Sequence, residues 1–196
     1  MEAPVERTRI RRLPDKAVHD RAALHAVLDA GMVAHVAFVH DGQPFAIPVA
    51  YARDGESVLF HGSTGSRLFR LLATGVPCCL TVTLLDGLIL ARSAFEASMR
   101  YRSAMVLGAC APVTEKTEAL RAVAEHLMPG RWEVIRPPSA KELAATSVLR
   151  LPLDEWSLKV SDGWPEATPE DEGWSPPTGV IPIRTELGEL IPGEVT

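Results

Sequence analysis

Short apolar runs, broken at close intervals by Gly, Pro and Asp-Gly pairs, dominate the chain. Residues 32–40 alternate loosely and are rich in Val, Ala and Phe, the composition of a half-buried strand. Asp41-Gly42 is a hairpin signal, so 44–52 is predicted to return as a second strand. Asp54-Gly55 then turns the chain into a third strand over 57–61. Further strands are expected over 78–85, then over 88–91 beyond a turn at Asp86-Gly87, and over 101–113, 147–153 and 155–160. Helical spacing occurs in four places. Asp20 is placed to cap a helix whose Ala23, Leu24, Val27 and Leu28 share a face and which ends at Gly31. A second helix starts near Ser66, presents Leu68, Leu71 and Leu72, and is closed by Gly75 and Pro77. Thr114 opens the clearest one, with Leu120, Val123, Ala124, Leu127 and Met128 at i, i+3, i+4, i+7 and i+8, stopped by Pro129-Gly130. A short helix is expected over 139–145.

Strands joined mostly by hairpins, with a few short helices, describe a small antiparallel barrel with α+β decoration. Regular βαβ alternation is absent, which argues against a dinucleotide-binding parallel sheet. Residues 1–12, with Arg7, Arg9, Arg11 and Arg12 and no apolar period, read as an N-terminal arm. Residues 13–162 form the domain body. From 163 to 196 the chain is acidic and Pro-rich, and is expected to be an irregular extension that wraps a partner subunit or stays mobile.

Composition narrows the function classes. An apolar fraction of 46% and a charged fraction of 23% in 196 residues suit one ordinary globular domain. There is no apolar run of the ~20 residues that a membrane span requires, and the N-terminus lacks the pattern of a signal peptide. Three cysteines (Cys78, Cys79 and Cys110) suit free thiols in a reducing compartment, so a cytoplasmic location is expected. The formal charge of −5 is uneven: residues 161–196 hold eight acidic groups against the single Arg184, leaving the body slightly basic. Without a concentrated basic face, nucleic acid is not an expected partner; a phosphorylated small molecule is.

The segment Phe60-His61-Gly62-Ser63-Thr64-Gly65-Ser66-Arg67 is the strongest candidate for binding chemistry. A phosphate needs several converging donors and preferably one fixed cation. Gly62 and Gly65 allow close backbone approach, Ser63, Thr64 and Ser66 carry hydroxyls, and Arg67 offers a planar fork. The following helix adds donors in its first turn. A capped loop between strand and helix uses the same residue types, so on these residues alone the two readings balance. The segment lacks the Lys and spacing of a nucleotide-hydrolysing loop.

In Ala46-Ile47-Pro48-Val49-Ala50-Tyr51, Pro48 cannot donate to a ladder and belongs at an edge or bulge. Spare backbone groups there could meet the amide-like edge of a planar ring, and a plain strand end is the alternative. Ser98-Met99-Arg100-Tyr101-Arg102-Ser103 brings two arginines and an aromatic to a strand start, either facing a ligand or solvated. Cys78-Cys79 point to opposite strand faces and resemble core residues more than a redox pair. The histidines lack metal-site spacing, so no protein metal site is expected.

In their order along the chain these segments resemble the FMN-binding split-barrel family related to pyridoxamine 5′-phosphate oxidase, on the branch that includes nitroimidazole-resistance proteins. Three stretches carry the resemblance: 47–51, 60–67, and Tyr101-Arg102-Ser103-Ala104-Met105-Val106-Leu107-Gly108. The resemblance implies a mainly β, α+β fold: a six-stranded antiparallel split β-barrel with short peripheral helices. It implies a homodimer with FMN at the subunit interface. Ile47, Pro48, Val49, Ala50 and Tyr51 would then lie along the flavin. Phe60, His61, Gly62, Ser63, Ser66 and Arg67 would hold its phosphate, with Ser103 and Arg102 approaching from a neighbouring strand. Leu68 stands where pyridoxamine 5′-phosphate oxidases carry a basic residue, and their C-terminal Arg- and His-bearing substrate motif is missing. Vitamin B6 oxidation is therefore not the expectation. An FMN-dependent oxidoreductase acting on a small molecule, of nitroaromatic or quinone type, is. The alternatives are a non-catalytic flavin-binding or sensory module, or a split barrel holding haem or a deazaflavin, with His61 or His35 as an axial ligand in the haem case.

Overall fold

The computed structural model describes residues 6–193. The first five residues of the predicted arm, and residues 194–196 with the acidic Glu194, lie outside the described residues. In chain order the elements are β1 (Ala17–Val18), α1 (Arg21–Ala30), β2 (Val33–His40), β3 (Gln43–Asp54), β4 (Ser57–Ser63), α2 (Arg67–Leu72), β5 (Pro77–Leu90) and β6 (Ser98–Ala109). There follow β7 (Ala111–Pro112), α3 (Lys116–Leu127), α4 (Ala140–Ala145), β8 (Thr146–Pro152), β9 (Glu155–Ser161) and β10 (Gly179–Pro182), with short 3-10 turns between. The class is the predicted one, a mostly antiparallel sheet with four short helices. The strand count among the described residues is ten rather than six. Two of the additional strands, β1 and β7, are two-residue pairings with no periodic signature, and β10 lies in the predicted irregular extension.

The chain packs as two compact units. Among the described residues, one comprises the chain up to Leu84 together with Arg102–Val160; the other comprises Leu85–Tyr101 and the chain from Ser161 on. In the first unit the sheet runs β1-β9-β6-β5-β2-β3-β4-β8-β7. Its main core lies between the inward rows of these strands and α1 and α2: Leu24, Leu28, Val36, Tyr51, Phe60 and Leu80 are almost fully buried. Asp20 caps α1 as expected, accepting from the Ala23 N–H at 2.9 Å. The end of α1 is locked to β3 twice. Arg53 forms a bidentate pair with Asp29, both contacts at 2.8 Å, and the Tyr51 hydroxyl donates to the Leu28 carbonyl at 2.6 Å. Gly31 is needed there for space, since a Cβ would sit 2.5 Å from Val82 Cγ1 and 2.6 Å from the Tyr51 hydroxyl. A second, smaller core forms where α3 covers the other face of β3, β4 and β8, around Ala52, Leu59, Ala119, Val123 and Val148.

In the second unit the Asp86-Gly87 pair does not turn. β5 runs straight through it, and β10 pairs antiparallel with its distal half, Gly179 opposite Leu90 and Pro182 opposite Gly87. A Cβ on Gly87 would lie 2.8 Å from the Ile181 carbonyl, so the glycine serves the close approach of a second backbone. The extension is thus partly ordered by pairing that its composition does not reveal. Arg100 also belongs here: its Nε donates to the Gly163 carbonyl at 2.9 Å, and the guanidinium lies 4.6 Å from the Trp164 ring centre. Among the described residues no helix is long and apolar enough to cross a membrane.

Candidate functional site

The sheet opens between β3 and β4. Their pairing runs from Asp54↔Ser57 to Tyr51↔Phe60 and stops. Beyond it, Gln43–Ala50 pair only with β2, and His61, Gly62 and Ser63 pair only with β8. Two strands leaving each other in mid-sheet free a row of backbone groups on each side, which is what a planar ligand with a polar edge can use. Pro48 lies in this stretch, with a strand partner on one side only, where a residue without an N–H is tolerated.

Strand alternation then sorts the predicted site residues into two rows. Ile47, Val49, Tyr51 and Phe60 point inward and belong to the main core, Tyr51 and Phe60 at 0% exposure. Burial holds the Tyr51 phenol well above its ordinary pKa, so it stays protonated and serves as the donor to Leu28. These four can meet a ligand only through their backbone. Pro48 and Ala50 point outward. In register with them on the same face lie His35 opposite Pro48 and Thr81 opposite His35. Thr83, two residues on, has its hydroxyl 3.2 Å from that of Ser103. One outer face therefore carries Pro48, His35, Thr81, Thr83 and Ser103 across four strands. Thr81 and Thr83 were not singled out in the sequence; two threonines at alternate positions of an otherwise apolar run were the available signal. Arg102 has partners within the fold.

His61 continues this outer side on β4. It follows Leu59 on the face packed under α3, and its register partner on β8 is the buried Val148. Its ring Nδ1 is buried with no hydrogen-bond partner. Burial alone lowers its pKa, so the ring is held neutral. A neutral imidazole with an unsatisfied buried nitrogen is an arrangement that folding gives no reason to keep. His35, the other histidine proposed as an axial ligand, is exposed.

The loop after His61 is less open to an anion than its composition suggests. The Thr64 N–H donates to the Ala145 carbonyl at 2.9 Å, the Gly65 N–H to Ser63 Oγ at 3.1 Å, and the Ser66 N–H to the Ser63 carbonyl at 3.0 Å. Ser66 occupies the N-cap position of α2, yet its side chain caps nothing, and α2 is only six residues long. A Cβ on Gly62 would fall 2.2 Å from the Phe69 ring, so that glycine is explained by packing rather than by a ligand. What stays available is side-chain chemistry: the Thr64 and Ser66 hydroxyls, and Arg67. Among the described residues Arg67 pairs with no carboxylate; its guanidinium lies 4.3 Å from the Phe45 ring centre. Phe45 stacks on Phe38 at 5.4 Å and helps line a cavity of about 870 Å³ with Val76, Cys78 and Leu107, while Arg7 and Glu155 also border it. Among the described residues no cluster of three His, Cys, Asp or Glu is placed to hold a metal ion.

A sheet split between its third and fourth strands, small residues and hydroxyls on the outer face, and a cation-bearing loop beside the split define a split barrel of the pyridoxamine 5′-phosphate oxidase type. The sequence pattern of the pyridoxamine 5′-phosphate oxidase family matches residues 20–160, and the chain belongs to this flavin-binding family. It is similar over nearly its whole length to two solved structures. One is the FAD and haem binding protein from Mycobacterium smegmatis, at 42% identity over 91% of this chain and 89% of that one, with a TM-score of 0.86. The other is the flavocytochrome Anf3 from Azotobacter vinelandii, at 41% identity over 98% and 91%, with a TM-score of 0.91. A Bacteroides thetaiotaomicron protein named for 5-nitroimidazole antibiotic resistance shares the fold at 19% identity, covering 74% of this chain and 86% of that one, with a TM-score of 0.63. No curated protein matches.

Proposed function

We propose that this protein is a redox protein of the cytoplasm that carries a flavin nucleotide between two copies of the chain, together with a haem held by His61. The observation that carries the reading is identity above 40%, across almost the full length, to one protein named for binding FAD and haem and another named a flavocytochrome. The residues fit both groups. His61 offers a neutral ring with a buried nitrogen that nothing in the fold satisfies. On the outer face, Pro48 and Ala46 are small or flat side chains that leave room for a ring system against β3, and the opened β3 and β4 edges offer backbone donors and acceptors. Arg67, Thr64 and Ser66 suit the phosphate. FMN, which the resemblance implied, and FAD, which one of those names states, share that phosphate and ring; FAD is the better-supported choice.

When bound, flavin supplies hydride and single-electron transfer and haem supplies single-electron transfer. The chain's part is to hold, orient and keep dry. The inward row fixes the backbone of β3 and β4, Leu59 and Val148 beside His61 pack under α3, and Thr83 and Ser103 present hydroxyls to the outer face. The activity proposed is oxidoreduction of a small acceptor of quinone or nitroaromatic type.

The test is the absorbance spectrum of purified protein, with chromatography of the flavin released on denaturation. Flavin bands and a haem Soret band are expected together in the wild type. His61→Ala should lose the Soret band and keep the flavin. A wild type without a Soret band after haem supplementation, or a Soret band unmoved by His61→Ala, would overturn the haem assignment. Light scattering of the loaded protein should give twice the chain mass; a monomer with flavin bound would exclude the interface site.

A further inference from the structure

Cys78, at the start of β5, and Cys110, just past the end of β6, are both nearly buried, yet their sulfurs lie 3.7 Å apart. All three cysteines are free thiols. Cys78 also lines the 870 Å³ cavity beside Phe38, Phe45, Val76 and Leu107, whereas Cys110 is not part of its wall. One thiol can thus be reached through the cavity, and the other waits behind it within reach of the first. We propose that Cys78 and Cys110 form a thiol–disulfide exchange site for low-molecular-weight disulfides with an apolar flank, Cys78 attacking and Cys110 resolving.

The atoms balance without a further reagent. The Cys78 thiolate attacks one sulfur of R–S–S–R, the S–S bond breaks, and one R–S⁻ leaves and takes up the proton that Cys78 gave. Cys110 then attacks Cys78 Sγ, forms the Cys78–Cys110 disulfide and expels the second R–SH. Two protein thiols are oxidised and one disulfide is reduced to two thiols. The electrostatics agree with these roles. The hydrogen bond with Cys110 holds the Cys78 thiol below its ordinary pKa, and the same bond with burial raises that of Cys110. Cys79, on the opposite strand face, has its thiol raised by burial. The cavity's mixed character, apolar walls with Arg7 and Glu155 bordering it, favours small aromatic or aliphatic disulfides over a protein disulfide.

The exchange itself uses no flavin or haem, so its test and theirs fail separately. Full-length protein with its bound cofactors, in a Cys79→Ser background, is treated with dipyridyl disulfide and read by intact mass and non-reducing peptide mapping. With both cysteines present, the product should be lighter by two hydrogen atoms, carry no pyridyl label and contain a 78–110 cross-link. Cys110→Ser should instead trap a stable label on Cys78. Cys78→Ser should slow all modification roughly tenfold or more. Cys110→Ala repeats the trapping without a buried hydroxyl. If neither Cys110 variant folds, the cross-link in the parent decides alone. A stable label on Cys78 while Cys110 is present, or a Cys78 left unmodified in the folded parent, overturns the proposal.

Discussion

The two rows of β3 and β4 share a backbone and differ in everything else. The inward row (Val49, Tyr51, Val58 and Phe60) is accounted for by folding alone: each side chain is buried in one apolar cluster, and the single polar group among them, the Tyr51 hydroxyl, has its partner in Leu28. The outward row is accounted for only in part: Ala52 and Leu59 are buried under α3, but the stretch beyond them is not explained by packing. Pro48 forgoes a ladder bond, Ala46 and Pro48 leave bare strand, and His61 keeps a buried nitrogen without a partner. Where one face of a strand is optimised and the other violates the usual rules, the violation marks the working face.

The largest expected effect breaks the comparison from the inside. Phe60→Ala empties a 0%-exposed position that meets Phe69 with ring centres 5.8 Å apart, and should cost about 3–5 kcal/mol in urea unfolding. Any flavin lost in that variant should track the unfolded fraction. Arg67→Ala should do the reverse. It removes an exposed guanidinium stacked on Phe45, so the melting curve of the flavin-free protein should hardly move, while flavin binding weakens roughly ten- to a hundredfold, about 1.5–3 kcal/mol. Unchanged flavin affinity, by titration of apoprotein, would mean that the phosphate sits elsewhere. Next in size are two inner changes at the α1–β3 lock. Gly31→Ala forces a Cβ within 2.6 Å of Val82 and Tyr51 and should cost about 1–3 kcal/mol. Tyr51→Phe strips a buried carbonyl of its donor, at about 1–3 kcal/mol. Neither should alter the ratio of flavin to folded protein.

Much of this division was legible in the sequence, and the misses have physical causes. The strands β2, β3 and β4 and their two tight turns follow from local alternation and from Asp41-Gly42 and Asp54-Gly55, signals contained within a few residues. Asp86-Gly87 carries the same local signal and misleads, because the partner that keeps it extended, β10, comes from about ninety residues further along. The helix α3 starts at Lys116 rather than Thr114, an ordinary uncertainty of a helix end. Within the candidate site, 47–51 and 60–67 were found as segments, but which of their side chains face a ligand depends on strand phase. Tyr51 and Phe60 proved to be core, and the loop's N–H groups proved to be spent on Ala145 and Ser63. The Cys78–Cys110 contact joins residues on different strands, and no spacing rule announces it.

The smallest effect is the sharpest test of which row His61 belongs to. Burial lowers its pKa in the folded protein, whereas the unfolded chain titrates near the ordinary value of about 6.5. Above that value both states hold a neutral ring and the residue contributes no pH dependence. As the pH falls through it, the unfolded state takes up a proton that the folded state resists, so the folded protein loses stability toward acid. His61→Gln removes this difference. Haem-free wild type and variant, compared by urea unfolding at neutral pH and at about pH 5, should show a smaller loss toward acid in the variant. At neutral pH the variant should lie within about 1 kcal/mol of wild type, since no hydrogen bond is lost with the ring nitrogen. A structural residue of the inner row would instead show a large cost already at neutral pH. That outcome would move His61 from the working face into the core and remove the residue on which the haem assignment stands.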